Sequence, residues 1–169
     1  EMFTPSVLEA QARAYGRSAA VAPGPPDELG REEMDFIARR DSFYLASVSE
    51  TGWPYIQHRG GPAGFLKALD PHTLAFADLR GNRQLVSTGN LRNDDRVALI
   101  LVDYPNRERL KIIGHARVLS ADDDPALASR LTPDGLTRRV ERIHCVSVVG
   151  LDWNCPAYIT PRYTAAEID

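Results

Sequence analysis

From Phe43 onward the chain gives up helical spacing, and that change constrains its fold more than any other feature. Residues 43–49 (Phe-Tyr-Leu-Ala-Ser-Val-Ser) read as a strand. Glu50-Thr51-Gly52 reads as the hairpin turn into a second strand at 53–59. Gly60-Gly61-Pro62-Ala63-Gly64 breaks the run, and 65–69 with 73–77 make another pair about Asp70-Pro71-His72. Residues 97–102 are continuously apolar, the pattern of a strand buried on both sides. Tyr104-Pro105-Asn106 turns the chain into a long strand at 109–119, and 143–151, rich in valine, reads as the last. Helices are expected at 5–15, 30–40, 83–90 and 122–131. Six or seven strands in hairpin order with helices around them predict an α+β, mainly β fold, an antiparallel barrel.

A chain of 169 residues suits one such domain. Residues 1–30 read as an N-terminal helix and a Pro/Gly-rich connector, and 31–169 as the barrel domain. No βαβ alternation and no G-x-G-x-x-G after a strand are present, so a nucleotide-like cofactor would need another mode of binding. No apolar run approaches the roughly 18 residues of a membrane span, and no signal peptide is visible. Cys145 and Cys155 form no C-x-x-C pair, and the four histidines lie on separate segments. Neither a disulfide framework nor a metal site is expected, and a cytoplasmic setting is. The net charge of −3 argues against nucleic-acid and membrane-surface partners.

Charge distribution says more than the sum. Between Arg80 and Arg117 stand eight basic and four acidic residues, a window of +4 that leaves −7 for the remainder. A solvated strand face and a pocket for a small anion both fit that pattern.

Four segments could carry chemistry. Gln57-His58-Arg59-Gly60-Gly61 ends a strand, where glycines let backbone approach a flat ligand and Arg59 could donate to it; a wide hairpin loop is the competing reading. Asp78 through Asn82-Arg83-Gln84 runs from a strand into a helix, with Asn82 as cap and Arg83 as a fork for phosphate, or as a merely structural cap. Arg109 and Lys111 share one face of their strand with Ile113, facing either a ligand or solvent. Trp153 could pack on a ring edge or make an ordinary core or dimer contact. No side chain stands out as a catalyst, so redox chemistry would need a cofactor.

Taken together, residues 43–48, 54–61, 74–84, 96–102 and 109–116 resemble the pyridoxamine 5′-phosphate oxidase-like, FMN-binding split-barrel family over roughly residues 32–155. The resemblance implies an antiparallel split β-barrel with peripheral helices, and a homodimer with FMN between the two barrels. It places the flavin ring and ribityl chain along Gln57, His58, Arg59 and Gly60, and the phosphate on Arg83. Gln84 stands where the oxidase tends to carry lysine, and Arg109 where it has a glutamine near the flavin. Asp78, Asn82, Lys111 and Trp153 complete the expected cofactor set. The oxidase's C-terminal arginine and histidine motif is not apparent in 157–163, so the implied activity is an FMN-dependent oxidoreductase with a different, unidentified substrate. A non-enzymatic flavin-binding or storage protein is the alternative, as is a related barrel holding haem, through His58 or His115, or the deazaflavin F420.

Overall fold

Among the described residues are seven strands, and those at 42–48, 54–60, 96–103 and 108–120 show the period-two alternation of a sheet with one face buried. The computed structural model describes residues 2–16, 24–78, 84–134, 140–153 and 156–168. Helix α1 (Pro5–Tyr15) buries none of its residues. Helix α2 (Arg31–Ala38) buries Phe36 and Ile37. Its start is capped by Glu33, whose carboxylate accepts the Gly30 N–H at 2.9 Å. Strands β1 (Ser42–Val48), β2 (Pro54–Gly60), β3 (Lys67–Asp70) and β4 (Thr73–Ala77) precede the short helix α3 (Val86–Asn90). Strands β5 (Arg96–Asp103) and β6 (Glu108–Ser120), helix α4 (Pro125–Leu131), strand β7 (Arg142–Trp153) and helix α5 (Ala165–Ile168) follow.

All pairings are antiparallel and the sheet order is β2-β1-β5-β6-β7-β4-β3. The sheet curls around one core. Phe43 of β1 stacks on Phe65 (5.5 Å between ring centroids) and meets Phe76 of β4 edge-on (5.2 Å), although β1 and β4 are far apart in the sheet order. Leu45, Leu99, Leu101, Leu110, Ile112 and Val146 fill the interior beside them, each worth roughly 1.5–3 kcal/mol of burial. A second, smaller core lies on the opposite face of β4 and β7, where Ala75, Ala77, Ile143 and Cys145 pack near Leu131 of α4.

Two expectations change. Strand β5 is buried on one side only: Val97, Leu99 and Leu101 face the core, whereas Ala98 is exposed and Ile100 and Val102 are half-buried. The sheet surrounds its core on one face, and among the described residues the outer face of β1, β2 and β5 stays exposed or half-buried. The strand expected at 65–69 begins at Lys67, because Phe65 and Leu66 are drawn into the core before pairing starts.

Strand β6 is bent by a register shift between Ile113 and Gly114 against β7. There a Cβ on Gly114 would lie 2.2 Å from the Ser147 carbonyl oxygen. Gly114→Ala is expected to cost about 2 kcal/mol or more, since a backbone atom cannot step aside. Urea denaturation checks this; an unchanged midpoint would contradict it.

Candidate functional site

The strand register divides the expected site residues between the two faces of the sheet. On β2, Gln57 and Arg59 turn inward and are half-buried, while Ile56, His58 and Gly60 are exposed on the outer face. Tyr44 of β1 and Ile100 of β5 belong to the same outward row as His58, and Lys111 of β6 continues it. Arg109 lies in the next row, opposite Val102.

The inner group is a single network. Arg59 donates to Asp78 at 2.9 Å, and Arg142 of β7 donates to the other oxygen of the same carboxylate, also at 2.9 Å. Asp78 is 9% exposed. It stands one residue beyond β4, held there by its backbone N–H on the Arg142 carbonyl. The Arg59 guanidinium also lies over the Phe76 ring at 5.6 Å, and its Nε is buried without a hydrogen-bond partner. Two guanidiniums thus converge on one carboxylate. Arg142 also reaches the exposed Glu141 at 3.2 Å.

His144 stacks on Phe76 at 4.8 Å and an interplanar angle of 7°. Among the described residues neither of its ring nitrogens has a hydrogen-bond partner. Burial, together with the charges of Arg59 and Arg142, pushes its pKa down to about 4, against the opposing pull of Asp78.

Helix α3 joins the inner group from the other side. Ser87 donates to the Gln57 side-chain oxygen at 2.9 Å, and Asn90 donates to Ser47 at 3.0 Å. Ser87 fixes the Gln57 amide so that its NH₂ end is presented away from the helix. The helix starts at Val86, with Leu85 at the N-cap in left-handed backbone (φ 54°, ψ 26°), a conformation costing about 1–2 kcal/mol. The start expected at 83, capped by Asn82, therefore moves three residues on. Asn82 and Arg83 themselves lie outside the described residues. Gln84 is exposed just before the turn into α3.

Other residues serve different neighbours. Lys111 pairs with Asp152 at 2.6 Å on the outer face. Trp153 turns inward: its Nε1 donates to Glu33 at 2.8 Å and its ring meets Phe36 edge-on at 4.8 Å, so it fastens β7 to α2. Burial would raise the Glu33 carboxyl, but this bond and its backbone bonds outweigh it and hold the carboxyl below its ordinary value. The space beside Gly60 and Gly61 is filled from within the chain: a Cβ on Gly61 would lie 2.7 Å from Phe65, and one on Gly60 would lie 3.0 Å from the His58 ring. These glycines thus make room for their own chain's side chains. The Arg80–Arg117 window divides likewise, with Arg96 on Asp94 at the surface and the Arg109 Nε buried without a partner.

Arg142, His144 and Ser87 were not among the expected residues. A signal for Arg142 existed in the sequence: an aspartate closing an apolar strand needs a buried cation, and the Arg138-Arg139-Glu141-Arg142 stretch was available to supply one.

The sequence profile of the family described as pyridoxamine 5′-phosphate oxidase matches residues 29–140. The chain belongs to that family. No curated protein matches its sequence. Among solved structures, HupZ of Group A Streptococcus has a TM-score of 0.58 at 14% identity, covering 73% of this chain and 91% of its own. An FMN-binding protein of Syntrophomonas wolfei has a TM-score of 0.54 at 13% identity, covering 74% and 88%. An F420 reductase has a TM-score of 0.54 at 16% identity, covering 73% and 98%. These likenesses establish the split-barrel fold. Among the described residues no group of three or more His, Cys, Asp or Glu could hold a metal ion, and no helix is long and apolar enough to cross a membrane.

Because the folded state keeps His144 neutral, the unfolded chain binds its proton first as pH falls through about 6.5. Stability is then complete above that pH and is lost progressively toward about 4. His144→Phe should flatten this part of the profile. Urea midpoints from neutral pH down to about 4.5 test it, and a parallel decline in both proteins would contradict the assignment.

Proposed function

We propose that the protein is an FMN-dependent oxidoreductase that works as a homodimer. The observation that carries this reading is the Arg59–Asp78–Arg142 network, which joins β2, the residue after β4 and the start of β7 in a barrel of this family. Its two guanidiniums share one carboxylate, and the buried Arg59 Nε has a donor to spare. That chemistry suits an anionic or carbonyl-bearing ligand. The FMN-binding protein of Syntrophomonas wolfei, which has the same fold, supports the choice of flavin.

In this reading Arg83, with Asn82 and Gln84, holds the phosphate. The Gln57 amide and the Arg59 guanidinium orient the ribityl chain and ring. Both oxygens of Asp78 are occupied by arginines, so Asp78 orients those groups and does not act as a base. Bound FMN would supply the hydride or electron transfer that no side chain here provides.

The outer face supports a second copy as partner. Tyr44 is 40% and Ile56 65% exposed there. Together with Ala46, Ala98, Ile100 and Ile113, and with Met2 and Lys111 at its lining, they surround a mainly apolar recess of about 190 Å³. His58, Arg109 and Lys111 lie on this face, where a partner barrel would bring them to the intersubunit cleft.

Purified protein is expected to take up FMN with a flavin absorption spectrum and to scatter light as a dimer. Arg83→Ala should weaken FMN binding by about 1.5–3 kcal/mol in a fluorescence titration. A protein that stays colourless after incubation with FMN would overturn the proposal.

A further inference from the structure

His144 is 1% exposed, and its ring lies flat on Phe76, so packing rather than hydrogen bonding holds it in place. The charges that act on it come from three places: Arg59 on β2, Asp78 after β4 and Arg142 on its own strand. Arg142 leads on to the exposed Glu141 at 3.2 Å. The residue paired with His144 on β6 is the apolar Val118, while Arg117 turns to Cys145 in the core on the other face of the sheet. Arginine keeps its proton in proteins, and both oxygens of Asp78 are held by guanidiniums. Within this cluster His144 is therefore the group able to change its charge under mildly acidic conditions. Its unprotonated nitrogen can take a proton without any hydrogen bond being broken. Burial keeps that proton off, and charge adds to it, since two guanidiniums against one carboxylate already leave the cluster positive. A further negative charge beside the cluster would offset that excess and admit the proton.

We propose that His144 takes up a proton when flavin bound beside this cluster is reduced, a role that rests on FMN binding as proposed above. An external hydride donor, such as a reduced nicotinamide, delivers two electrons and one proton to the ring and so adds one negative charge. A second proton enters from solvent and is held on the His144 imidazole, and reoxidation returns it. Two electrons then travel with two protons, and the summed charge of ligand and cluster is the same before and after. His144 acts by its charge and need not touch the ring.

The midpoint potential of the FMN-loaded protein, measured from about pH 5 to 8 with redox dyes, counts the protons that accompany the electrons. Toward pH 5 the potential of the native protein should climb more steeply than that of His144→Gln or His144→Phe, by about half a proton or more per flavin. Near neutral pH the curves should run parallel, because the histidine titrates from about 4 upward. A second readout needs no variant: in NMR titrations of the labelled native protein, the His144 pKa should be higher by about one unit or more with reduced than with oxidised flavin. A histidine with a merely structural role would alter stability or FMN affinity in the variants and leave the slopes parallel. Parallel slopes over the whole range, or one His144 pKa in both oxidation states, would overturn the proposal while FMN binding stands. A protein that takes up no FMN would overturn the flavin reading and this role with it.

Discussion

Asp78 is the group on which the rest of this structure depends. Its carboxylate accepts Arg59 from β2, at one edge of the sheet, and Arg142 from β7, two strands from the other edge. An open sheet is thereby tied across its interior, next to the point where Phe43 of β1 meets Phe76 of β4. Hydrophobic burial supplies most of the stabilisation, but it has no direction. The paired guanidiniums do have direction, and removing the acid would leave two cations in a place where unpaired charge is costly.

The same register that aims Arg59 inward aims its neighbour His58 outward, and the barrel therefore has two chemically different surfaces. Inside, polar groups cluster at one end: Gln57 with Ser87, Asn90 with Ser47, and Arg59 and Arg142 with Asp78. Outside, β1, β2, β5 and β6 present apolar side chains with Lys111 and Asp152 paired beside them. A lone barrel would leave that apolar face in water, and a second barrel laid against it would cover the face and form a cleft. Fold and proposed assembly follow from one pattern of alternation.

Much of this was legible in the sequence. The hairpin turn at Glu50-Thr51-Gly52 and the alternation of 43–48 set β1 and β2, and α1 and β4 fall on their expected bounds. Local signals failed where tertiary packing decided. The apolar run 97–102 suggested burial on both faces, because composition cannot tell a face turned into the core from one left exposed or half-buried. Gly60 and Gly61 suggested room for a ligand; a side chain at either position would meet the His58 ring or Phe65, a requirement for glycine that only the fold reveals. Arg142 lies 64 residues from the aspartate it serves, so a strand-closing aspartate signals a buried cation without telling which arginine supplies it. Asp78 and Gln57 were recognisable as strand-end polar groups, but their partners were not.

The central claim is that FMN occupies the inner end of the barrel around Asp78. Titration of the isotopically labelled protein with FMN, followed by amide NMR, tests it most directly. The account predicts that the largest shift changes fall on Gln57, Arg59, Asp78, Gln84 and Ser87, with α4 and the 122–131 region unmoved. Changes centred on α4, or none at saturating FMN, would contradict it.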